Sequence, residues 1–508
     1  MRDILRALGI FLLGSTLAIF LGASWVDRIN RPGGIHLVTG HDFGPSVKVA
    51  PPRRTLVAVV DGLGFEDVVK TRLAGRLKAE GACWRMHTGQ PSISRPMYTV
   101  LSSGVEQART GIRNNTLHTR APVESIWEVA RGAGLQVSVI SEIPWWVELF
   151  PKGFASYRGL PRARNFFTDA PRSDVTLVHT LYVDEAGHSA GAASQLYADA
   201  VERTNTELAA VLDTLDRSQD LLVVTADHGH AALGGHGGLE PRVATVLTCA
   251  VGRGVRVMGS LAELPATALA PALAVLLGIR FPAHMRAVDA ELASIWPALD
   301  EKVFSAAYVA DRQAAVSGMR VEQEAALRKH HAASLDELFT DGRRWQFIRA
   351  FLALLLFGMA LQRMEQRVSG TQWRQKAVVD GAWLLVVCVA SVTIFLIRRE
   401  TFDLTAPNER DTFVRSTALS CALIALAPVL VATALRWDVL RHQGMLVLAL
   451  GMLNLAHPAA FGWELGYPLP APWLLFFPFF AAVLLWSVAT VGVLSCVVAA
   501  VARLVRAG

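Results

Sequence analysis

Charged side chains are scarce in this chain of 508 residues: Asp, Glu, Lys and Arg make up 18% of it, against about 25% in an ordinary soluble domain. Apolar residues supply 52%, and the mean hydropathy is +0.35. Most of the apolar excess lies in residues 1–26 and 345–505. This distribution excludes a purely soluble enzyme, and it also excludes a disordered or collagen-like chain.

A strong charge of one sign and a cysteine framework are both missing. The net charge of +6 comes mostly from arginines that flank hydrophobic runs, which indicates membrane orientation and not nucleic-acid binding. Three of the five cysteines lie inside apolar runs, which leaves Cys83 and Cys249 in the polar part. We expect these two to be buried free thiols in strands, with pairing outside the cytoplasm as the alternative.

Long hydrophobic runs predict an integral membrane protein. Residues 8–26 are long enough to cross about 30 Å of hydrocarbon, although a cleavable signal peptide would give a similar pattern. Further apolar runs lie at about 347–361, 379–397, 413–435, 444–462 and 471–503. They predict a C-terminal bundle of about five spans, of which the first carries Arg349 and is alternatively an interfacial helix. The basic residues place both termini in the cytoplasm.

Four regions follow from this pattern: an N-terminal transmembrane anchor (1–30), an extracytoplasmic domain (50–300), a helical connector (301–344) and a membrane bundle (345–508). In the second region, short apolar runs alternate with amphipathic helical stretches such as 194–215. The predicted strands are 56–60, 136–140, 175–181, 221–225 and 243–250. Strands that are apolar throughout and separated by helices predict an α/β fold with a mainly parallel sheet flanked by helices.

Aspartate and histidine follow three of the predicted strands. In chain order these residues are Asp61, Asp184, His188, Asp227, His228 and, in a glycine-rich turn, His236. Because the carboxyl ends of parallel strands meet at one edge of a sheet, we expect these side chains to lie together. A mixture of carboxylates and imidazoles suits zinc, with manganese as the alternative, and two such ions would form a clamp for in-line phosphoryl transfer.

Five ordered motifs carry a family resemblance. They are AVVDGLGF (58–65), PSISRPMYTVLSSG (91–104), DEAGHSAG (184–191), TADHG (225–229) and GGHGG (234–238). Together they resemble the motifs of the alkaline phosphatase superfamily, and most of all those of its nucleotide pyrophosphatase/phosphodiesterase branch. The resemblance covers about residues 55–285 and implies an alkaline-phosphatase-like fold.

The resemblance also implies a role for each matching residue. Ser94 would be the nucleophile, since Pro96, Gly104, Gly111, Ile112 and Asn115 follow it at the family spacing. Asn115 would hold a non-bridging phosphate oxygen. One zinc would be bound by Asp61, Asp227, His228 and Ser94, and the second zinc by Asp184, His188 and His236.

The sequence departs from the family pattern at several positions, and these bear on which branch of the family it resembles. Met97 stands where the family has Asn, and Thr110 stands where it has His. The Ser-Arg-Pro triplet that begins at Ser94, and the architecture of the whole chain, resemble the GPI ethanolamine phosphate transferases. A sulfatase is disfavoured, because Tyr98 occupies the position where a sulfatase needs Arg.

We therefore expect a membrane-anchored, two-metal phosphodiesterase or phosphotransferase that acts through a phospho-serine intermediate. Its substrate would be a lipid-linked phosphodiester with a phosphoethanolamine-type headgroup, and a membrane lipid would be substrate or acceptor. The first alternative is a nucleotide pyrophosphatase or phosphomonoesterase that acts on soluble substrates. The second is a non-enzyme, either a metal-free scaffold or a transporter-associated sensing domain. The sequence indicates no nucleic-acid partner and no oligomeric state.

Two further features have open interpretations. The aromatic residues Trp145, Trp146, Phe150 and Phe154 would line the substrate cleft, touch the membrane or form a local hydrophobic cluster. His230, two residues after His228, is a candidate proton relay.

Overall fold

The computed structural model describes residues 44–339 with several gaps. The gaps are 111, 113–114, 116–117, 160–166, 168–172, 239 and 287–288. The predicted membrane segments at 1–30 and 345–508 lie outside the described residues, and within those residues no helix is long and apolar enough to cross a membrane. The described residues up to Ala332 belong to one compact unit of the chain.

Eight strands of this unit form a single sheet. They are β1 Arg54–Val60, β2 Gly81–His87, β3 Val137–Ser141, β4 Ser156–Arg158, β5 Val175–Thr180, β6 Asp220–Thr225, β7 Thr245–Gly252 and β8 Leu261–Pro265. Their spatial order is β4-β3-β5-β1-β6-β7-β2-β8. Neighbours from β4 to β6 are parallel, and β7 runs antiparallel to both β6 and β2. The sheet is therefore mixed. Its half from β4 to β6 is parallel, and the predicted site residues follow the carboxyl ends of strands in this half.

All five predicted strands are present, and three others, β2, β4 and β8, were not predicted. The strands β4 and β8 lie at the two edges of the sheet, and most of their residues are exposed or half-buried. An edge strand has one neighbour and a solvated side, so it does not need the continuous apolar run that identified the central strands. The strand β2 carries exposed Arg85 and His87, which interrupt its apolar run.

Helices cover the sheet. They are α1 Phe65–Val68, α2 Arg72–Glu80, α3 Ser94–Ser103, α4 Gln107–Thr110, α5 Ile126–Gly132, α6 Trp145–Leu149, α7 Tyr182–Ala190, α8 Gln195–Thr214, α9 Pro241–Ala244, α10 Leu269–Leu277, α11 Asp289–Leu292 and α12 Ala306–Phe339. The helix predicted at 194–215 is α8, and the Ser194 side chain caps it by accepting a hydrogen bond from Tyr197 N–H. All ten residues of α3 are buried, so this helix is held inside the domain.

The predicted connector begins as part of the domain. The helix α12 falls within 301–344, and its Tyr308 hydroxyl donates to the backbone oxygen of Val275 at the end of α10 (2.7 Å). Arg312, which is fully buried, lies over the ring of Phe281 with 3.8 Å between its guanidinium carbon and the ring centroid. This end of α12 therefore packs on the globular unit and does not act as a free linker.

The expectation of free thiols at Cys83 and Cys249 is wrong. The two residues lie opposite each other on the antiparallel neighbours β2 and β7, and they form a disulfide across 4.1 Å between their Cα atoms. The pairing, which was the alternative, was not preferred because β2 was not identified and the cysteines are 166 residues apart.

Removing the disulfide is expected to destabilise the domain without disrupting its site. The Cys83→Ala/Cys249→Ala variant should lose about 2–5 kcal/mol in free energy of unfolding, because the open loop gains conformational entropy in the unfolded chain. Denaturant unfolding with and without reductant measures this loss. Reductant should destabilise the unsubstituted protein and leave the double variant unchanged. Equal alkylation of the denatured protein before and after reduction would show that both thiols are free.

Candidate metal centre

The site lies at the carboxyl ends of the three central strands. Asp61 directly follows β1, Asp184 is in the first turn of α7 after β5, and Asp227 comes two residues after β6. Gly62 brings two of these segments together: its φ is +76°, and a Cβ there would lie 2.7 Å from the Cα of Asp184. Both the backbone conformation and the close approach require glycine at this position.

The first group of predicted ligands surrounds one imidazole nitrogen. His228 Nε2 lies 3.4 Å from Asp61 Oδ1, 3.3 Å from Asp227 Oδ2 and 3.5 Å from Ser94 Oγ. Ser94 is the first residue of α3 and is 3% exposed, whereas the other three side chains are completely buried. The structure thus brings together the four residues that the sequence assigns to the first metal.

The second group has similar spacing. His188 Nε2 lies 3.2 Å from His236 Nε2 and 3.4 Å from Asp184 Oδ1, and His236 Nε2 lies 3.6 Å from the same oxygen. The two groups are adjacent, because the rings of His228 and His236 stack with centroids 3.6 Å apart. His188 is the exposed member, while His236 is buried and its Nδ1 is 3.0 Å from the backbone oxygen of Ser92.

These distances fit two tetrahedral metal ions. Ligand atoms bonded to one tetrahedral zinc at about 2.0–2.2 Å stand roughly 3.3–3.6 Å from each other. Two buried oxygens, Asp61 Oδ1 and Asp227 Oδ2, have no hydrogen-bond partner among the described residues. In the part of the chain that the structure describes, no lysine or arginine pairs with the three site carboxylates. A cation would satisfy these oxygens, which are otherwise costly to bury.

The protonation of the buried groups agrees with metal binding. Burial lowers the pKa of the His228 imidazole to about 4. Burial and the neighbouring His228 hold the pKa of His236 well below its ordinary value. Both rings are therefore neutral at pH 7, which is the form that binds a metal. Burial, together with the charges of Asp61 and Asp184, raises the pKa of Asp227 well above its ordinary value, and this repulsion is what a bound cation would relieve.

His230 lies beside the second group. Its Nε2 is 2.8 Å from Asp184 Oδ1, and it belongs to a four-residue cluster with Asp184, His188 and His236. Burial alone would raise the pKa of Asp184, but hydrogen bonds from His188 and His230 hold it well below its ordinary value. Gly187 makes room for the His230 ring, since a Cβ there would lie 2.4 Å from it. The geometry supports a role in orienting Asp184, while the predicted proton relay stays a prediction.

Asn115 is oriented by the residue that follows the candidate nucleophile. The backbone N–H of Arg95 donates to Asn115 Oδ1 across 2.9 Å, so the amide nitrogen of Asn115 is the group left to donate to a ligand. The Arg95 side chain is completely buried, pairs with Glu148 and lies over the ring of Trp145 at 4.6 Å. The sequence did not identify Arg95 as a site residue. Its burial in a wholly buried helix, which the structure shows, indicates that it belongs to a hydrogen-bonded network.

Two sets of residues that the sequence analysis singled out are buried in the interior of the domain. Trp146, Phe150 and Phe154 are buried in the hydrophobic core, which is the local cluster among the interpretations left open; Trp145 is half-buried. The family departures Met97 and Thr110 are also completely buried. Met97 Sδ accepts a hydrogen bond from Gln107 across 3.0 Å, so a short-range contact joins α3 to α4 at this point.

Two residues that contact the site were missed. Tyr98 on α3 and His179 on β5 both hydrogen-bond to Asp61, and both are completely buried. His179 occupies an otherwise apolar strand and Tyr98 a buried helix, so the sequence pattern alone indicates core packing for both. The register of the sheet is the missing information, since β1 and β5 pair with Val59 opposite His179.

Comparisons with known proteins agree with the resemblance in the sequence. A sequence profile of the Metalloenzyme superfamily matches residues 163–239. GPI ethanolamine phosphate transferase 2 of Candida glabrata is 22% identical over 226 residues, which are 36% of this chain and 26% of that protein. The catalytic subunit of the human GPI ethanolamine phosphate transferase 2 is 24% identical over 171 residues, which are 29% of this chain and 17% of that protein. The chain thus spans about a quarter or less of the length of these curated relatives.

The domain is also similar to solved structures. Human ectonucleotide pyrophosphatase/phosphodiesterase 5 gives a TM-score of 0.41 at 13% identity, and the match covers 49% of this chain and all of that one. A protein of the alkaline phosphatase superfamily from Vibrio parahaemolyticus gives a TM-score of 0.36 at 14% identity over 52% of this chain and 76% of that one.

The profile match contains Asp184, His188, Asp227, His228 and His236, which are five of the residues that the structure brings together at the sheet edge. The chain therefore carries a domain of the alkaline-phosphatase-like metalloenzyme superfamily, and it is related in sequence to the GPI ethanolamine phosphate transferases.

Proposed function

We propose that this protein is a two-zinc phosphodiesterase or phosphotransferase in which Ser94 attacks the phosphorus of a lipid-linked phosphodiester. The observation that carries the proposal is the spacing of the two ligand groups next to Ser94. Six distances of 3.2–3.6 Å connect the seven atoms within their two groups, which is the separation expected of ligand atoms on a tetrahedral ion, and one of the atoms is the serine oxygen. Manganese is the alternative ion.

Ser94 would form the covalent intermediate. Two divalent ions held by the two groups would supply Lewis-acid stabilisation of the serine oxygen and of the leaving oxygen. The Ser94 hydroxyl gives up its proton to solvent, and its oxygen attacks phosphorus in line. The bond to the leaving oxygen breaks on the opposite side and that oxygen takes up a proton from solvent, which leaves a phospho-serine ester. The Asn115 amide donates to a non-bridging oxygen, and the N-terminus of α3 adds a partial positive charge beside the phosphate.

A hydroxyl then attacks the phospho-serine from the side of the second group and releases Ser94. Water as this hydroxyl would make the protein a hydrolase, and a hydroxyl of a lipid or sugar would make it a transferase. His188 is the exposed ligand of the two groups, so an acceptor has access on this side. We propose the same reaction sequence for both outcomes, with the acceptor as the only difference.

An apolar border next to the second group supports a lipid substrate. Residues 189–193 and 231–235 contain no charged side chain and follow His188 and His230 directly. They are joined by hydrogen bonds from Ala192 N–H to Ala231 O and from Ala193 N–H to Ala232 O, both 3.1 Å. Leu233 in this border is 88% exposed. This exposed leucine lies three residues before His236 in the sequence, and we propose that it contacts the hydrocarbon part of a lipid.

The proposal includes a location and a domain arrangement. The disulfide supports an extracytoplasmic catalytic domain at 50–300. The apolar runs support an anchor at 1–30 and a bundle at 345–508 that begins after the connector, with both termini in the cytoplasm. The names of the curated relatives, which are GPI ethanolamine phosphate transferases, support a phosphoethanolamine-type headgroup.

Metal analysis tests the two-ion site. The purified protein should contain two zinc ions per chain, and Asp227→Asn should bind one ion with greatly reduced affinity. The amide oxygen of Asn can still accept the hydrogen bonds that Gly62 N–H and His228 N–H now give to Asp227 Oδ1, so the fold should be kept. Asp220→Asn, at the other end of β6, is the control and should bind both ions. A chelator-treated, metal-free protein with full activity would contradict the proposal.

The nucleophile is tested by Ser94→Ala. This variant should lower turnover of a soluble diester, bis-p-nitrophenyl phosphate, by about 10³-fold or more, because no covalent intermediate can form. Ser103→Ala, at the other end of α3, should keep most of the activity. Mass spectrometry of acid-quenched protein should find the substrate's phosphoryl group on Ser94. Full activity of Ser94→Ala would point to another nucleophile, such as Thr99 or Ser92.

The lipid substrate is tested by Leu233→Ser. Activity on phosphatidylethanolamine in detergent micelles should fall about tenfold, which corresponds to about 1.4 kcal/mol and is within the contribution of one partly buried leucine. Activity on the soluble diester should not change, and Val257→Ser, an exposed apolar residue away from the site, should affect neither substrate. Equal losses on both substrates would remove the apolar border from lipid binding. Cleavage of nucleotides and of no lipid would favour the soluble-substrate alternative.

A further inference from the structure

A buried hydrogen-bond network holds one oxygen of Asp61. The Tyr98 hydroxyl donates to Asp61 Oδ2, and His179 Nε2 lies 3.0 Å from the same oxygen and 2.8 Å from the Tyr98 oxygen. All three side chains are completely shielded from solvent. These bonds therefore form away from bulk solvent.

The proton positions follow from the partners of each atom. A carboxylate oxygen only accepts, so His179 Nε2 carries the proton that it gives to Asp61 Oδ2. The other ring nitrogen, Nδ1, lies 2.8 Å from the hydroxyl of Ser141, which donates to it in the neutral ring. Ser141 Oγ in turn accepts from the backbone N–H of Ile143 across 3.2 Å. Every polar atom of the chain from the Ile143 N–H to Asp61 Oδ2 is then satisfied.

The two oxygens of Asp61 have different surroundings as a result. Oδ2 accepts from two donors, whereas Oδ1 has no hydrogen-bond partner among the described residues and lies 3.4 Å from His228 Nε2. We propose that Tyr98 and His179 are positioning residues of the first metal site, and that they make Asp61 bind its ion through Oδ1 alone. This inference rests on the proposed two-ion function.

The same helix presents both the network and the nucleophile. Tyr98 follows Ser94 by four residues on α3, so the two side chains lie on one face of the helix. The Tyr98 ring stacks on Trp146 with centroids 4.3 Å apart and planes 15° apart, which fixes the hydroxyl in place. The Tyr98–Asp61 bond therefore ties the position of a metal ligand to the helix that carries Ser94.

Zinc titration in chelator-buffered solution tests the proposal on the full-length protein. Tyr98→Phe removes the hydroxyl and keeps the stacked ring, and it should weaken one of the two zinc sites by about 10- to 100-fold while leaving the other unchanged. Turnover of the soluble diester should fall at limiting zinc and recover at saturating zinc with little change in KM. Tyr308→Phe is the matched control, because Tyr308 is equally buried but bonds to Val275 O, away from the site. It should bind both ions as the unsubstituted protein does.

A second pair of variants tests the same role independently, in case Tyr98→Phe does not fold. His179→Gln keeps an N–H donor and should retain more zinc affinity than His179→Leu, which has none. Unchanged binding of both ions by Tyr98→Phe, or equal binding by the two His179 variants, would overturn the positioning role while the two-ion function stood. An unsubstituted protein that binds no divalent ion would overturn both.

Discussion

The burial of three carboxylates at one point of the sheet is the constraint on which the site depends. Asp61 and Asp227 are completely buried and Asp184 nearly so, and among the described residues no lysine or arginine pairs with them. Buried like charges are strongly unfavourable unless a positive charge compensates them. The imidazole of His228 cannot supply that charge, since burial lowers its pKa to about 4. No described lysine or arginine therefore compensates the three carboxylates, which is the electrostatic reason for assigning divalent ions to this site.

The three carboxylates come from separate segments of the chain, and the backbone brings these segments close together. The parallel strands β1, β5 and β6 end side by side, and each delivers one aspartate to the cluster. Glycines at the crossing points allow this approach: Gly62 faces Asp184, and a Cβ on Gly229 would lie 2.2 Å from the backbone oxygen of Arg242. Glycines in the motifs DGLG and DHG are therefore explained by space, independently of any ligand. A larger residue at Gly62 or Gly229 would push these segments apart and so displace the carboxylates.

The sequence could predict what depends on order along the chain, and it could not predict what depends on pairing between distant segments. The central strands and the aspartates that follow them were identified because apolar runs end directly in polar residues, and parallel strands end together. The exposed edge strands β4 and β8 carried no such signal. The Cys83–Cys249 bond and the His179–Asp61 bond join residues 166 and 118 positions apart, so both required the register of the sheet. His179 in particular looked like a core residue until β5 was paired with β1.

The two ligand groups differ in access, and this difference bears on the choice between hydrolysis and transfer. The proposed ligands Asp61, Asp227 and His228 are completely buried and Ser94 is 3% exposed, so the first group has little contact with solvent. The side chain of His188 in the second group is 27% exposed, and the apolar border that contains Leu233 adjoins it. In the reaction that we propose, an in-line second step would bring the acceptor in on the side from which the leaving group departed, which is the side of His188. On this proposal the same side chains would serve a hydrolase and a transferase, and selectivity for water or a lipid hydroxyl would belong to the residues around His188.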